Sequence, residues 1–348
     1  MEIHFDRSNG VIDEQIDALI AQVGLAGTQA QSGRMVREMI LSALKAGQEI
    51  AYPADLKLMR TTMKEMRFTA KVFGPHRSRR KVTIFGSART ERTEPIYQKC
   101  LDFSRLLVER NYMVITGGGG GIMQAGNEGA GAENSFAINI SLPFEQSTNP
   151  VMANSPNVIT YKYFFNRKIA FLKEAAAVAL FPGGFGTLDE AMETLTLIQT
   201  GKNPPIPLVL VDDDHGGYWE NLFIFMRNTL LKRGLISGED FGLFTLTRSP
   251  QEAVQVIDDF YRVYHSSRYI GEDLVIRTTR ELSAAEVDIL QNEFSEILSP
   301  GQRISTTSVA LAKESDQPDL LLYPRLIVPF NHRNFGLLIA FIRRINSF

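Results

Sequence analysis

Hydrophobic residues recur along the chain with different periods, and the changes of period divide it into three parts. The first part, residues 1–80, has apolar side chains at three- and four-residue steps, as amphipathic helices do. Three such stretches cover 11–23, 33–46 and 53–72. Gly74-Pro75 and a polar run over 76–81 then mark a boundary. We find no chemistry in this part and expect a helical cover or an oligomer surface.

Short apolar runs alternate with helical patterns in the second part, residues 81–268. The predicted strands are 82–85, 112–116, 135–142, 158–161, 177–181 and 206–211. The predicted helices are 95–110, one from 122, 164–176, one after 186, 219–233 and 250–264. This alternation predicts an α/β fold with a doubly wound parallel sheet, in which ligands bind at the carboxyl ends of the strands.

The stretch 177–190 organises the second part, because a buried strand, a glycine turn and a helix follow one another there. Its apolar run breaks at the Pro-Gly-Gly of 182–184, and the helical pattern starts after Gly186. Free N–H groups at such a helix start bind anions. Thr187 and Glu190 have the spacing of a capping box, which is the purely structural interpretation. We expect both residues to serve as cap and as site.

Five consecutive glycines, 117–121, form a second loop of this kind. A flexible turn is the simpler interpretation, but the run lies between the strand that ends at Thr116 and a helix that begins at Ile122. Backbone N–H groups in that position can surround an anion, so we favour a phosphate loop. The spacing does not match the G-x-G-x-x-G dinucleotide fingerprint, and no Gly-Lys-Ser/Thr of a Walker loop follows.

Three charged clusters each admit two interpretations. Arg167 and Lys168 open a predicted helix, where the dipole disfavours cations, so they are either a solvated first turn or cations directed at an anionic ligand. The residues alone leave both open. Three aspartates at 212–214 could suggest a metal, but no ligand spacing supports one, and we favour a solvated loop. The basic run 77–81, like Arg343-Arg344, could form a local basic patch, but we favour a solvated face or linker for both.

The third part, residues 269–348, predicts a small α+β appendix. Its predicted strands are 274–278, 304–311 and 325–329, and its predicted helices are 283–298 and 335–345. Ser283 and Glu286 form a second capping-box pattern. The last helix is strongly apolar on one side and needs a partner surface, either on this chain or on another subunit.

Composition narrows the class of protein. A formal net charge of −2 argues against a nucleic-acid binder that works through bulk positive charge. The single cysteine, Cys100, excludes an intramolecular disulfide, fits a reducing compartment and is expected in the core. We see neither a signal peptide nor an apolar run of about 20 residues that could span a bilayer. The expectation is a cytoplasmic protein without membrane contact, bound metal or cofactor.

Four motifs, taken together, resemble the Lonely Guy (LOG) family, whose members were once labelled lysine decarboxylases in error. They are Thr116–Met123, Leu142–Gln146, Phe164–Lys168 and Pro182–Glu190, in the family's order. The resemblance covers residues 80 to 265 and implies a Rossmann-like fold and phosphoribohydrolase activity on nucleoside 5′-monophosphates. Gly120 departs from the family, which usually has proline there. No lysine fits the Schiff-base setting that pyridoxal phosphate chemistry needs.

The resemblance also implies roles for particular residues. Glu190 and Arg167 would be catalytic, with the Glu190 carboxylate stabilising positive charge on the sugar and activating water. The implied substrate-binding residues are Gly86, Ser87, Gly118, Gly119, Lys168, Gly183, Gly184, Gly186 and Thr187. Cytokinin riboside monophosphates or AMP-like nucleotides are the expected substrates, and a homo-oligomer, at least a dimer, is implied. A nucleotide-binding sensor or carrier without hydrolysis is the alternative.

Overall fold

The computed structural model describes residues 10–25, 30–50, 52–142, 147–314 and 316–348. The chain divides into two compact units, Met1–Arg67 and Phe68–Phe348. The helices are α1 Val11–Gln22, α2 Ala30–Glu49, α3 Pro53–Phe73, α4 Pro95–Glu109, α5 Ile122–Ala130, α6 Phe164–Lys173, α7 Phe185–Gln199, α8 Tyr218–Phe225, α9 Pro250–Phe260, α10 Ala284–Glu293 and α11 Phe335–Ser347. The strands are β1 Lys81–Phe85, β2 Met113–Thr116, β3 Ser135–Ile140, β4 Val158–Tyr161, β5 Ala177–Leu180, β6 Leu208–Val211, β7 Thr245–Thr247, β8 Tyr264–Ile270, β9 Asp273–Thr278, β10 Ser305–Thr307 and β11 Arg325–Val328.

The first unit is helical, as its three- and four-residue periodicity predicts. Ile16 and Ile20 of α1 and Leu41 of α2 are buried and form a small core. Arg37 of α2 reaches across to α1, where its Nε lies 2.8 Å from the carboxylate of Asp17. None of the described helices is long and apolar enough to cross a lipid bilayer.

A seven-stranded sheet forms the centre of the second unit. Its strand order is β4-β3-β2-β1-β5-β6-β7, and all neighbours are parallel. Strands β1, β2, β5 and β6 are buried at every position, which explains their continuous apolar runs. The predicted doubly wound α/β sheet is confirmed.

The strand order reverses between β1 and β5. The chain builds outward from β1 through β2, β3 and β4, then returns to place β5 on the other side, where Phe85 pairs with Leu180. The loops that leave the carboxyl ends of two such strands diverge and open a crevice, which is where α/β sheets bind ligands. The turn after β1 and the Pro-Gly-Gly loop after β5 both lie at this point.

The third part of the chain contains the predicted small sheet, an antiparallel arrangement in the order β10-β11-β9-β8. Helix α11 packs against α7, α9 and α10, so the partner surface of this apolar helix lies on the same chain. Its Asn346 accepts the N–H groups of Val263 and Tyr264 at 2.8 Å and donates to the carbonyl of Phe260. The capping box of Ser283 and Glu286 is confirmed.

Several element predictions are wrong in detail. Strands β7 and β8 were not predicted, because β7 has three residues and β8 reads Tyr-His-Ser-Ser-Arg-Tyr-Ile, without an apolar alternation. The helix predicted over 250–264 ends at Phe260, and the strand predicted over 304–311 is paired only at Ser305–Thr307. The helix predicted over 219–233 continues from α8 as a π-helical turn, Met226–Leu231.

The aspartate cluster is not a solvated loop throughout, contrary to prediction. Asp212 is 1% exposed, and its carboxylate accepts the backbone N–H groups of Asp213 at 3.0 Å and Trp219 at 3.1 Å. Asp212 therefore caps the start of α8, whereas Asp214 pairs with Lys99 at 2.7 Å. Among the described residues, no group of three or more His, Cys, Asp or Glu could hold a metal ion.

The basic run 77–81 is also not a solvated face or linker throughout, although Arg77 is exposed. The guanidinium of Arg80 lies 4.0 Å from the centre of the Tyr261 ring, and Lys81 Nζ donates to the carbonyl of His76 at 2.7 Å. Arg79 donates to one side chain and two backbone carbonyls. Arg79, Arg80 and Lys81 therefore hold the chain where it enters β1. Arg79 and Arg80 do so through residues that are distant in the sequence.

The prediction for Cys100 is confirmed. Its side chain is fully buried on α4, and burial raises the pKa of the thiol. A buried, protonated thiol is a poor nucleophile, so Cys100 is a packing residue.

Candidate functional site

A cleft of about 840 Å³ opens at the carboxyl ends of the central strands, at the reversal of strand order. Its polar floor comes from the turn after β1, from the glycine loops and from the start of α7. Apolar side chains, among them Ile140, Leu142 and Phe164, form an apolar wall. The lining residues named below are Gly86–Arg89, Gly117, Met123, Ile140, Leu142, Phe164, Arg167, Phe171, Gly183–Glu190 and Tyr218.

The turn after β1 is fixed between the two glycine-rich loops. Ser87 donates its N–H to the carbonyl of Pro182 at 3.0 Å, and its own carbonyl accepts the N–H of Ile122 at 2.9 Å. A Cβ at Gly121 would lie 2.2 Å from the Ser87 carbonyl oxygen, so this approach requires glycine. The two predicted phosphate loops are therefore joined through one short turn.

The Pro-Gly-Gly loop leads directly into α7, but the helix begins two residues earlier than predicted. Gly184 is the N-cap in an extended conformation, without a side-chain cap, and Thr187 is the third residue of the helix. The expected capping box of Thr187 is therefore wrong, because that threonine lies inside the first turn. Its hydroxyl instead packs on Gly183, where a Cβ would lie 2.2 Å from Thr187 Oγ1. Tyr218 donates its hydroxyl to the Gly183 carbonyl at 2.5 Å.

The five-glycine run meets the cleft only through Gly117. Gly118 and Gly119 turn away, and both are held by Asn149, which donates its N–H to the Gly118 carbonyl at 2.8 Å and its side-chain amide to the Gly119 carbonyl at 3.1 Å. Gly118 also donates to the Thr116 hydroxyl and has a φ of 75°. This loop is therefore a turn held by hydrogen bonds from Asn149 and to Thr116, and it contributes only Gly117 to the cleft lining.

Glu190 is the most perturbed acid of the cleft. It projects from α7, is 8% exposed, and its Oε2 is buried without a hydrogen-bond partner among the described residues. Burial, together with the negative charges of Glu193 and Asp189, raises the pKa of Glu190 to about 7, although Lys168 and Arg167 oppose this shift. A carboxyl with this pKa exchanges protons at neutral pH, which suits a general base.

Arg167 enters the same cleft from α6. Its Nε donates to the carbonyl of Ile138 at 2.8 Å and its Nη2 to the carbonyl of Gly117 at 3.4 Å. Burial lowers the pKa of the guanidinium, and the negative charge of Glu190 opposes that shift. The two backbone carbonyls fix the orientation of the guanidinium plane.

Lys168 does not line the cleft. Its Nζ lies 2.8 Å from the carboxylate of Asp189, 2.6 Å from that of Glu193 and 3.9 Å from that of Glu190. The lysine is therefore held by carboxylates of α7. Its effect on the cleft is electrostatic, because its positive charge opposes the rise in the pKa of Glu190.

Most of the site residues expected from the sequence come together here. The cleft is lined by Gly86, Ser87, Arg167, Gly183, Gly184, Gly186, Thr187 and Glu190, and it is not lined by Gly118, Gly119 or Lys168. Sequence reasoning missed Gly117, Arg89, Tyr218 and the apolar wall. Arg89 could have been found from its place two residues after Ser87, whereas nothing in the sequence brings Tyr218 to Gly183. Pro143–Gln146, part of one quoted motif, lie outside the described residues.

The fold and the cleft define a Rossmann-like α/β protein with a candidate anion site at the switch point of its sheet. A family model described as "Possible lysine decarboxylase" matches residues 122–257. A cytokinin riboside 5′-monophosphate phosphoribohydrolase of Arabidopsis thaliana is 26% identical over 187 residues, which are 52% of this chain and 84% of that protein. A probable enzyme of the same name from Oryza sativa is 27% identical, over 57% of this chain and 80% of that protein. The chain is thus similar to phosphoribohydrolases of the Lonely Guy family, and the resemblance expected from its motifs is confirmed.

Two solved structures with similar folds are a molybdenum cofactor carrier protein and a molybdenum cofactor binding protein. The carrier protein of Chlamydomonas reinhardtii is 16% identical, with a TM-score of 0.36 over 52% of this chain and 96% of that one. The binding protein of Rippkaea orientalis is 20% identical, with the same TM-score and coverage.

Proposed function

We propose that this protein hydrolyses the N-glycosidic bond of nucleoside 5′-monophosphates, releasing the free base and ribose 5-phosphate. One observation carries the proposal. The buried carboxylate of Glu190, whose Oε2 has no hydrogen-bond partner within the described residues, lies one helical turn beyond a glycine loop that suits a phosphate. A nucleotide whose 5′-phosphate is held at that loop has its ribose within reach of Glu190. The relatives named above are phosphoribohydrolases, which supports the same reaction class.

The chemistry of the reaction explains why a carboxylate is needed. As the C1′–N bond lengthens, its electron pair leaves with the base and positive charge grows on the ribose ring. The Glu190 carboxylate stabilises that charge and accepts a proton from the water whose oxygen bonds to C1′. The departing base takes up a proton from solvent, and Glu190 returns its proton to solvent, so the products are the neutral base and ribose 5-phosphate.

The other cleft residues have supporting roles in this proposal. Gly183, Gly184 and Gly186 bind the phosphate through the N–H groups of the loop and the first turn of α7, and Thr187 binds it through its hydroxyl, because its N–H donates to the Gly184 carbonyl. Arg167, oriented by two carbonyls, positions the ribose and balances the charge of Glu190. The apolar wall of Ile140, Leu142 and Phe164 receives the base, which is adenine-like or carries an apolar substituent as in a cytokinin.

The test is incubation of the purified protein with a panel of nucleoside 5′-monophosphates. Chromatography follows free base and ribose 5-phosphate, and the corresponding nucleosides serve as unphosphorylated controls. Release of base from one or more monophosphates supports the proposal and identifies the preferred base. Binding by calorimetry without any release would contradict it and favour a nucleotide-binding sensor or carrier.

Two further expectations accompany this function. A homo-oligomer stays a prediction, which size-exclusion chromatography with light scattering tests. A cytoplasmic location stays a prediction as well, which fractionation of cells tests.

A further inference from the structure

The charged side chains that line the cleft are Arg89, Arg167, Asp189 and Glu190. Three of them have a charged partner or a hydrogen bond within the described parts of the chain. Arg167 donates to two backbone carbonyls, and Asp189 pairs with Lys168 at 2.8 Å. Glu190 lies 3.9 Å from the same lysine. Arg89 is the only one whose charged group makes no hydrogen bond or ion pair with the described residues.

The backbone of Arg89 is held between the two glycine-rich loops. Its N–H donates to the hydroxyl of Ser87 at 3.0 Å, and Ser87 is itself bonded to Pro182 and Ile122. A Cβ at Gly183 would lie 2.9 Å from the Ser87 nitrogen, so the turn touches the start of the Pro-Gly-Gly loop. The long side chain of Arg89 therefore starts from a rigid base beside the candidate phosphate site, while its guanidinium is exposed.

We propose that Arg89 binds the 5′-phosphate of the substrate and makes the site selective for phosphorylated nucleosides. This inference rests on the proposed function. A phosphate dianion that approaches the cleft meets the carboxylates of Asp189 and Glu190, whereas the loop offers only the partial charges of N–H groups. Lys168 is neutralised by the acids of α7, and Arg167 is held on two backbone carbonyls and balances Glu190, so Arg89 is the remaining full positive charge of the described cleft. A guanidinium can pair with phosphate through two parallel hydrogen bonds, which explains arginine at this position.

The experiment compares Arg89→Ala and Arg89→Lys with the unchanged protein. Arg92→Ala is the matched control, because Arg92 lies in the same segment, pairs with Glu128 at 3.1 Å and does not line the cleft. Calorimetry measures the affinity for ribose 5-phosphate and for ribose, and steady-state kinetics with a nucleoside 5′-monophosphate separates KM from kcat. Both measurements are repeated at low and high salt.

We expect Arg89→Ala to weaken ribose 5-phosphate binding and raise KM by about 10- to 100-fold, the range of a charge-assisted hydrogen bond. The kcat should stay within about threefold, because the phosphate contact is the same in ground and transition states. Arg89→Lys should recover part of the affinity, and Arg92→Ala should change nothing. The salt dependence of KM should be weaker without Arg89.

The inference would be overturned if Arg89→Ala bound ribose 5-phosphate as tightly as the unchanged protein, or if Arg92→Ala lost as much affinity. An equal loss for ribose and ribose 5-phosphate would also overturn it, since that shows a general disturbance of the cleft. A protein that binds ribose 5-phosphate through Arg89 but releases no base would refute the proposed hydrolysis and still support the phosphate contact. The two failures are therefore distinguishable.

Discussion

The ammonium nitrogen of Lys168 lies 3.9 Å from Oε1 of Glu190, at the outer limit of an ion pair. The same nitrogen is more than 1 Å closer to the carboxylates of Asp189 and Glu193. Lys168 therefore holds the outer acids of α7 tightly and Glu190 only loosely. This division leaves burial as the main influence on Glu190 and keeps its pKa at about 7.

We predict that Glu190→Gln lowers turnover by at least about 100-fold, the usual contribution of a positioned general base. The amide has nearly the same shape but can neither accept the proton nor carry the charge. Steady-state kinetics with the best monophosphate measures the effect. Glu193→Gln is the control, since Glu193 lies on the same helix and contacts Lys168 but does not line the cleft. Near-normal turnover in a folded Glu190→Gln protein would refute the mechanism.

We predict that kcat/KM rises with pH and is half-maximal near pH 7. The active form of Glu190 is the carboxylate, and its pKa is raised to about 7, so the active fraction increases as pH passes through that value. Rates from pH 5 to 9 give the profile. The second pKa of the substrate phosphate is near 6, so substrate binding also changes over this pH range. The pH dependence of ribose 5-phosphate binding measures that contribution, which is then removed from the kcat/KM profile. A rate that falls with pH would mean that Glu190 acts as an acid.

We predict that Glu190→Gln stabilises the protein at pH 8 and much less at pH 5. The folded-state pKa of about 7 lies above the ordinary value of 4.5, so the folded state binds the proton more tightly than the unfolded state. The contribution of Glu190 to the free energy of unfolding is therefore most favourable below pH 4.5 and is lost as the pH rises through about 7. The difference in pKa corresponds to ~3 kcal/mol at most. Urea unfolding at both pH values measures it, and a pH-independent difference between the two proteins would contradict the prediction.

We predict that the glycines of the run 117–121 differ sharply in their tolerance of alanine. Gly118 has a φ of 75°, and a Cβ there would lie 1.9 Å from Asn139 Oδ1, so Gly118→Ala should destabilise by at least ~1 kcal/mol. Gly120 does not have a positive φ, and a Cβ there meets only Ala88 O at 3.4 Å. Gly120→Ala should be neutral or stabilise by up to ~1 kcal/mol. Thermal unfolding compares the two, and equal losses would contradict this account.

The position of Gly120 also explains why this chain can depart from the proline usual in the family. The contacts that hold the loop are made by its neighbours, through Asn149 and Thr116. Position 120 itself has ordinary contacts, so the loop keeps its shape with glycine there.

The sequence by itself determined the fold class and most of the cleft. Apolar runs of four to six residues must be buried on both faces, and their alternation with helical patterns leaves few arrangements other than a parallel sheet. Glycines between a strand and a helix predict a turn at the carboxyl end of the strand, because this signal is local. For that reason the Pro-Gly-Gly loop was placed at the cleft without the structure, whereas the predicted phosphate loop at 117–121 meets the cleft only through Gly117.

Only the tertiary structure decided which polar groups meet across those loops. Asp214 pairs with Lys99, and the guanidinium of Arg80 lies over the ring of Tyr261. These partners are far apart along the chain, and no local pattern encodes such contacts. The same holds for the ion pairs that Lys168 makes with three acids of α7. Local sequence sets the conformation of each segment, whereas the charge that a segment presents depends on which distant partners fold onto it.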